Sequence, residues 1–413
     1  RNCFVMNCRF CNNPLTHKFI DLANAPPSNS FLTQEQLNEP EVFYPLRLYV
    51  CDKCFLVQID EYKKSGEIFN QEYAYFSSFS TTWLKHAKRY VDMITNRLRL
   101  DAGSHVIEIA SNDGYLLQYF KAKQISCLGI EPSANTAHAA REKGIEILEA
   151  FFSAEFAASL AQKGKKADLI IGNNVLAHVP DINDFVKGLK IVLNAGGVIT
   201  MEFPHLMCLI EENQFDTIYH EHFSYLSFHT VSRIFTEHGL ILFDVEELST
   251  HGGSLRIYAK HDNDDSKSVT PNITALLEKE AAGGIHTLDY YLNVQQKADK
   301  IKYALLLFLL EQKKYGKKVA AYGAAAKGNT LLNYCGVKND LIEFVVDASL
   351  HKQGKFLPGS HIPVVTEKEI KRTQPDFVLI LPWNIKDEIM EQLSYISQWD
   401  GMFVTAVPDL KRV

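Results

Sequence analysis

The chain has 413 residues, and at roughly 150 residues per domain that predicts two to three domains with more than one core. Hydrophobic residues make up 46%, aromatics 11% and charged residues 22%, a composition that excludes disordered, fibrous and low-complexity chains. The 43 basic side chains against 49 acidic ones leave a formal charge of -6, so no overall positive field draws in a nucleic acid.

The apolar run 303–310 has eight residues, far short of the roughly 18 that suggest a bilayer span. The opening carries no apolar segment of the roughly 7 to 15 residues found in a secretory leader, so none is expected. Eight cysteines are sparse for a disulfide scaffold, and four fall in two tight pairs, which suits a metal site in a reducing compartment; the expected location is the cytoplasm.

Those pairs, Cys8-x-x-Cys11 and Cys51-x-x-Cys54, are separated by 39 residues. Each brings two thiolates to one side of a tight loop. Four thiolates make a closed tetrahedral site, structural rather than catalytic, whose soft sulfur ligands favour Zn2+. The gap exceeds the roughly 15 to 20 residues of the usual signature, and Ala25-Pro26-Pro27 and 35–40 read as loop that can be extruded. Cys3, Cys127, Cys208 and Cys335 are scattered and read as buried or incidental thiols. Segment 1–70 is thus expected to be a zinc-binding module.

From about residue 81 helix and strand alternate. Trp83, Ala87, Tyr90, Val91, Ile94 and Leu98 recur with a helical period over 83–98. The β-branched run 105–110 leads into Ser111-Asn112-Asp113-Gly114 and a helical stretch from Tyr115. A second strand, 126–130, ends in Glu131, 23 residues after Glu108, and further strands fit 168–172 and 198–203. This pattern predicts a parallel, doubly wound sheet within a middle domain, 71–284. Ligands of such a sheet lie at the carboxyl ends of its strands, where an acid ending the second strand can accept from ribose hydroxyls, and Glu131 fits that role. The turn after Glu108 is not Gly-x-Gly-x-x-Gly, which weakens a nicotinamide reading.

Asn173 and Asn174 end the next strand and lead through His178 to a helix from Asp181, so His178 is expected at the same crevice, although a lone histidine is often only a satisfied structural one. Beyond Glu202-Phe203-Pro204-His205, the string Asp216-Thr-Ile-Tyr219-His220-Glu221-His222-Phe-Ser-Tyr225 crowds titratable side chains together. His-Glu-His lacks the spacing of a zinc protease, while alternation along an extended segment would let His220 and His222 share a face toward a metal. His251-Gly252-Gly253 reads as a hairpin turn.

In the third segment, 285–413, Leu288, Tyr291, Leu292, Ala298, Ile301, Leu305 and Phe308 mark one face of a connector helix over 285–314, roughly 45 Å long. Strands at 318–322, 342–347, 376–381 and 402–407 predict a second Rossmann-like sheet. Tyr322-Gly323-Ala-Ala325-Ala326-Lys327-Gly-Asn329 follows its first strand. Small residues there let N–H groups at a helix start face an anion, with Lys327 adding charge, though close helix-to-sheet packing explains them too. Asp347 ends the next strand, and Pro382-Trp383-Asn384 puts a flat ring near the same edge.

Taken in order, the Cys pairs, Tyr73-Ala-Tyr75-Phe-Ser-Ser, Glu108-Ile-Ala-Ser-Asn-Asp-Gly114, Gly129-Ile-Glu131-Pro132, Gly172-Asn-Asn-Val-Leu-Ala-His178, Asp216-Thr-Ile-Tyr219-His-Glu-His222 and His251-Gly-Gly-Ser-Leu-Arg256 closely resemble the zinc-containing deoxysugar C-methyltransferases. The resemblance implies an α/β chain with a small zinc-binding module, a central class I methyltransferase domain and a C-terminal Rossmann-like domain. It implies S-adenosylmethionine held by Glu108, Ala110, Asn112, Asp113, Gly114, Glu131, Pro132, Asn173 and Asn174. The implied substrate is a 4-keto-6-deoxy sugar on dTDP or GDP, bound by Tyr322, Gly323, Ala325, Ala326, Lys327, Asn329 and Asp347, methylated beside the ketone with C-3 favoured, by a monomer.

A C–H alpha to a carbonyl is a very weak acid, so a base must remove the proton while a donor stabilises charge on the ketone oxygen. The resemblance makes His222 the base and Tyr219 and His178 the donors. Glu221 is expected to orient a neighbour or raise the base's pKa, and Tyr73 or Tyr75 to close the pocket. The alternatives are a nicotinamide-dependent sugar-nucleotide oxidoreductase, which lacks its glycine-rich turn, and a zinc-anchored nucleic-acid module, which lacks a basic face.

Overall fold

A computed structural model describes residues 6–62 and 76–413. Cys3, Tyr73 and Tyr75 lie outside the described residues. In the N-terminal part β1 (His17–Ala25), β2 (Tyr44–Val50) and β3 (Val57–Ile59) pair antiparallel. Leu46, Leu48 and Val50 of β2 are buried and the residues between them half-exposed, the period-two pattern of a sheet covered on one face.

The middle part opens with the helix Thr81–Leu98, whose N-cap Ser80 Oγ accepts from Trp83 N–H at 3.2 Å. It buries Trp83, Ala87, Tyr90, Val91 and Ile94, five of the six residues whose spacing predicts it, and leaves Leu98 partly exposed. Strands β4 (His105–Ile109), β5 (Ser126–Ile130), β6 (Glu146–Leu148), β7 (Ala167–Asn173), β8 (Leu193–Pro204), β9 (Ser224–Tyr225), β10 (Leu240–Leu248) and β11 (Ser254–His261) come next in the chain. All but β9 form one seven-stranded sheet in the order β10-β11-β8-β7-β4-β5-β6, the order of a class I methyltransferase domain.

That sheet is not purely parallel as expected: β11 runs antiparallel between β8 and β10. The sequence marks the turn at His251-Gly252-Gly253 but not the extents of the strands it joins, β10 and β11, because Asp244, Arg256 and Lys260 interrupt their apolar pattern. These charges are buried but partnered, Arg256 on Glu202 at 3.1 Å and Lys260 on the Lys267 carbonyl at 2.6 Å. β9 instead pairs with β3, so the N-terminal sheet reads β1-β2-β3-β9.

Beyond the middle part, the expected connector helix is broken into Leu288–Leu292 and Val294–Lys314. Asn293 breaks it: its Nδ2 donates to the Asp289 carbonyl at 3.3 Å, occupying the acceptor that an unbroken helix reserves for the Asn293 N–H. β12 (Val319–Tyr322), β13 (Val345–Val346), β14 (Val364–Val365), β15 (Phe377–Ile380), β16 (Met402–Thr405) and β17 (Lys411–Arg412) make a sheet in the order β14-β13-β12-β15-β16-β17, parallel except for β17. Phe19 and Leu48 of the N-terminal sheet, Phe223, Leu305 and Leu379 belong to one hydrophobic core, which locks the first and last parts of the chain together around residues 215–225. Among the described residues no helix is long and apolar enough to cross a membrane.

Candidate active site

The two Cys-x-x-Cys loops close on each other. The Sγ atoms of Cys8, Cys11, Cys51 and Cys54 all lie within 4.8 Å of one another, with the Cys8–Cys54 and Cys11–Cys51 pairs at 3.5 Å. Four sulfurs about 2.3 Å from a central ion stand ~3.8 Å apart, so the cluster has the dimensions of a closed structural metal site. Gln58 Nε2 and Asn13 Nδ2 donate to Cys8 Sγ and Cys51 Sγ at 3.2 and 3.8 Å, as thiolate ligands require. Arg9, inside the first loop, ties this cluster to the methyltransferase-like sheet: Nη1 donates to the Pro180 carbonyl at 2.7 Å, Nη2 to the Ile59 carbonyl, and its N–H to Gln58 Oε1 at 2.8 Å. Residues 35–40 are largely exposed as expected of a loop, but Pro26 is buried rather than extruded.

A cavity of about 620 Å³ opens at the carboxyl ends of β4, β5, β7 and β8, lined by residues from all three parts of the chain. Past β4 the backbone takes left-handed conformations at Ala110 (φ 56°), Asn112 (φ 50°) and Gly114 (φ 73°), so the bends of a glycine-rich turn are present with only one glycine. Asn112 N–H and Ser133 N–H donate to the two oxygens of Glu131, each at 2.9 Å, and burial pushes the Glu131 carboxyl up. Ala110, Asn112, Glu131, Pro132, Asn173 and Asn174 line the cavity. Glu108, Asp113 and Gly114 do not. Glu108 is fully buried, which holds its carboxyl well above the usual range; Asp113 meets Lys143 Nζ at 3.4 Å; and at Gly114 a Cβ would collide with Ile145.

Residues 215–225 form the opposite wall, gripped from three sides. Ile59 N–H donates to the Phe223 carbonyl at 3.1 Å, Phe223 N–H to the Ala177 carbonyl at 2.7 Å, and Thr330 Oγ1 to the Ile218 carbonyl at 2.7 Å. Tyr219, Glu221 and His222 line the cavity. His220 turns away, its Nε2 3.2 Å from the Pro45 carbonyl and its ring edge-on to Tyr44. It shares no metal face with His222, because His222 N–H bonds the Tyr219 carbonyl at 3.1 Å and makes this stretch a turn rather than a strand.

His178 joins them, its ring edge-on to His222 at 4.5 Å between centroids, with Tyr219 at 4.2 Å from His222 on another side. Burial drives His178 down to about 4 and His222 well below the usual histidine range, with repulsion from His178 and His251 adding to the latter, so both rings are neutral near pH 7. His178 Nδ1–H donates to the Glu221 carbonyl at 2.8 Å. That tautomer makes Nε2 an acceptor, so neutral His178 cannot also donate to a ketone oxygen as expected from the sequence.

On the C-terminal side Ala325, Ala326, Lys327 and Lys352 line the cavity. Lys327 Nζ donates to Asn384 Oδ1 at 2.7 Å and lies 4.3 Å from the centroid of the Trp383 ring, whose Nε1 donates to Asp216 Oδ2 at 2.8 Å. Burial raises the Asp216 carboxyl to about 6. Tyr322, Gly323, Asn329 and Asp347 stand off the wall. Tyr322 bonds Gln392 at 3.1 Å, Gly323 (φ 91°) packs on Pro382, and Asn329 Nδ2 donates to the Ser28 carbonyl at 2.7 Å. Asp347 caps the backbone N–H groups of Ala324 and Ser349, both at 2.8 Å.

Asn29, Ser77, Trp83, Phe152 and Lys352 also line the cavity. Asn29, Phe152 and Lys352 carry no signal that sets them apart in the sequence, whereas Ser77 lies in the Tyr73-Ala-Tyr75-Phe-Ser-Ser string and Trp83 is marked only as a helix residue. His251 also lines the cavity, edge-on to Trp83 at 5.1 Å and in a left-handed conformation (φ 55°). The hairpin reading of His251-Gly252-Gly253 is realised, and Gly252 is required there, since a Cβ would lie 2.5 Å from Trp383.

Three family models match in succession: a zinc binding domain over residues 8–69, a methyltransferase domain over 83–244 and a C-methyltransferase C-terminal domain over 249–408. The C-methyltransferase NovU of Streptomyces niveus is 31% identical over 405 residues, covering 98% of this chain and 96% of its own. A ubiquinone biosynthesis O-methyltransferase of Chelativorans sp. (strain BNC1) is 31% identical over 101 residues, 24% of this chain and 39% of its own. Among solved structures, the PH0226 protein from Pyrococcus horikoshii OT3 is 14% identical with a TM-score of 0.38, covering 45% of this chain and 94% of its own. With all three domain models in order and a full-length relationship to NovU, the chain belongs to the S-adenosylmethionine-dependent C-methyltransferases built from a zinc-binding, a methyltransferase and a C-terminal domain.

Proposed function

We propose that this C-methyltransferase acts on a nucleoside-diphosphate 4-keto-6-deoxy sugar, removing the proton beside the ketone, at C-3, and methylating that carbon. The observation that carries the reading is the facing of two walls across one cavity: a methyl-donor turn at Ala110–Glu131–Asn173 on one side, and Tyr219, Glu221 and His222 on the other. S-adenosylmethionine, when bound, supplies an electrophilic methyl group on a sulfonium. Asn112, Glu131 and Asn173 are suited to hold it, Glu131 through carboxylate lone pairs left after its two amide bonds.

His222 is the base. Its neutral ring is in the proton-accepting form throughout the neutral range. Tyr219 donates to the ketone oxygen as it gains charge, and it is the donor because the phenol keeps its proton where a neutral His178 has none to offer on Nε2. His178 accepts from a substrate hydroxyl and holds the Glu221 backbone in place. Lys327 and Lys352 face the diphosphate, the first held over the Trp383 ring.

Cys8, Cys11, Cys51 and Cys54 hold a structural Zn2+ that takes no part in the chemistry. The chain divides into a zinc module, 1–70, a methyltransferase domain, 71–284, and a C-terminal sugar-nucleotide domain, 285–413, and works as a cytoplasmic monomer. The test is mass spectrometry of the protein with S-adenosylmethionine and freshly made dTDP- and GDP-4-keto-6-deoxy sugars. Gain of one methyl group on either sugar supports the reading and selects the nucleotide. No gain on either, with folded, zinc-loaded protein, refutes it.

A further inference from the structure

We propose that Asn29 is a positioning residue for the reaction: the N-terminal module sends a loop into the cavity so that the Asn29 carboxamide orients the Glu221 carboxylate. The role of Glu221 rests on the proposed methyl-transfer reaction. Asn29 Nδ2 donates to Glu221 Oε1 at 3.0 Å, and both residues line the cavity. The Glu221 carbonyl in turn accepts from His178 Nδ1 at 2.8 Å, so one residue couples the N-terminal loop to the histidine pair.

The loop is far longer than its connection needs. Ala25 of β1 pairs directly with Tyr44 of β2, and a hairpin of two to five residues or so would join them. Instead residues 26–43 run out to the cavity and are fastened to the C-terminal domain. Ser30 N–H closes a turn on the Pro27 carbonyl at 3.1 Å, with Asn29 at its tip. Asn329 Nδ2 holds the Ser28 carbonyl at 2.7 Å, and Leu32 and Phe356 exchange backbone bonds at 3.0 and 2.9 Å. Glu41 accepts from Gly359 N–H and from His361 Nε2, each at 2.8 Å. Anchorage on both sides of Asn29 fixes where its amide points, which a simple linker would not require.

The test compares Asn29→Ala and Asn29→Asp in the full-length, zinc-loaded protein. Hydrogen donation predicts that Asn29→Ala lowers kcat about tenfold, the worth of one bond to a charged acceptor, with KM for S-adenosylmethionine unchanged. Asn29→Asp, which sets a like charge against Glu221, lowers kcat further, and in a Glu221→Ala background, where no acceptor is left for the amide, Asn29→Ala has no added effect. If Asn29 only fills space, the isosteric Asp variant is milder than Ala and the losses are equal in both backgrounds; either result overturns the proposal. Amide hydrogen exchange of residues 217–226, measured without any sugar, separates this claim from the functional one. Faster exchange in both variants supports positioning even if wild type methylates no 4-keto sugar, whereas unchanged exchange overturns it.

Discussion

His205, directly after β8 and lining the cavity, is paired with Glu280 at 2.7 Å, and both side chains are essentially sealed from solvent, 1% and 0% exposed. Burial opposes a charged imidazole, but the Cys208 sulfur, 3.8 Å from Nδ1, and the Glu280 carboxylate overcome it and raise His205 to about 9. Glu280 also accepts from the N–H groups of Phe228 and His229 at 2.7 and 2.8 Å, at the start of the helix Phe228–Glu237. Raising a histidine from 6.5 to about 9 corresponds to ~3 kcal/mol of folding stability. Because the folded value lies above the unfolded one, that stability is fully present below about pH 6.5 and is lost as pH rises through about 9. Glu280→Gln keeps the shape and an acceptor oxygen but removes the charge. Urea denaturation at about pH 6 should therefore show the variant less stable by up to ~3 kcal/mol, with the gap shrinking toward pH 10. A gap that is constant with pH, or that widens toward alkaline pH, would refute the pairing of a charged His205 with Glu280.

Tyr219→Phe should lower kcat by roughly 10²- to 10³-fold, the loss of one oxyanion donor, while calorimetric affinity for S-adenosylmethionine stays the same. Since His178 ionises near 4 and His222 well below the usual range, kcat should stay flat from about pH 6 to 8 and fall only in more acid solution; an acid limb centred between pH 6 and 7 contradicts neutral, buried rings. Gln58→Ala removes the donor to Cys8 Sγ and the acceptor of the Arg9 N–H, and should speed zinc release to a chromophoric chelator, with ~2 to 4 kcal/mol lost from the two bonds.

Much of the molecule was legible because its signals are local. Apolar spacing over 83–98 marks a helix, and short apolar runs mark β4, β5 and β7, since helices cover both faces of those strands. The Cys pairs likewise announce a metal site by spacing, whereas the Tyr219-His-Glu-His222 string is legible only through the family resemblance, since its spacing alone suggests a shared metal face for His220 and His222 that the turn removes. What stayed illegible depends on partners distant in sequence. Buried Arg256 and Lys260 make β11 look like a surface strand until Glu202 and the 264–267 turn satisfy them. Glu108 and Asp347 end or occupy strands where a ligand-binding acid is expected, yet one is sealed in the core and the other is consumed in capping backbone. Nothing near Asn29 marks it, because its partner lies 192 residues away. The tautomer of His178 is decided by a carbonyl 43 residues on, which reverses the role its position suggests.

The central claim is that His222 removes the proton beside the ketone, and deuterium wash-in tests it most directly. The protein is incubated in D2O with the 4-keto sugar nucleotide and S-adenosylhomocysteine in place of the methyl donor, so that deprotonation is read without methyl transfer. The account predicts that wild type exchanges the hydrogen at the methylated carbon and that folded, zinc-loaded His222→Asn does not. Exchange at the wild-type rate in His222→Asn would contradict it.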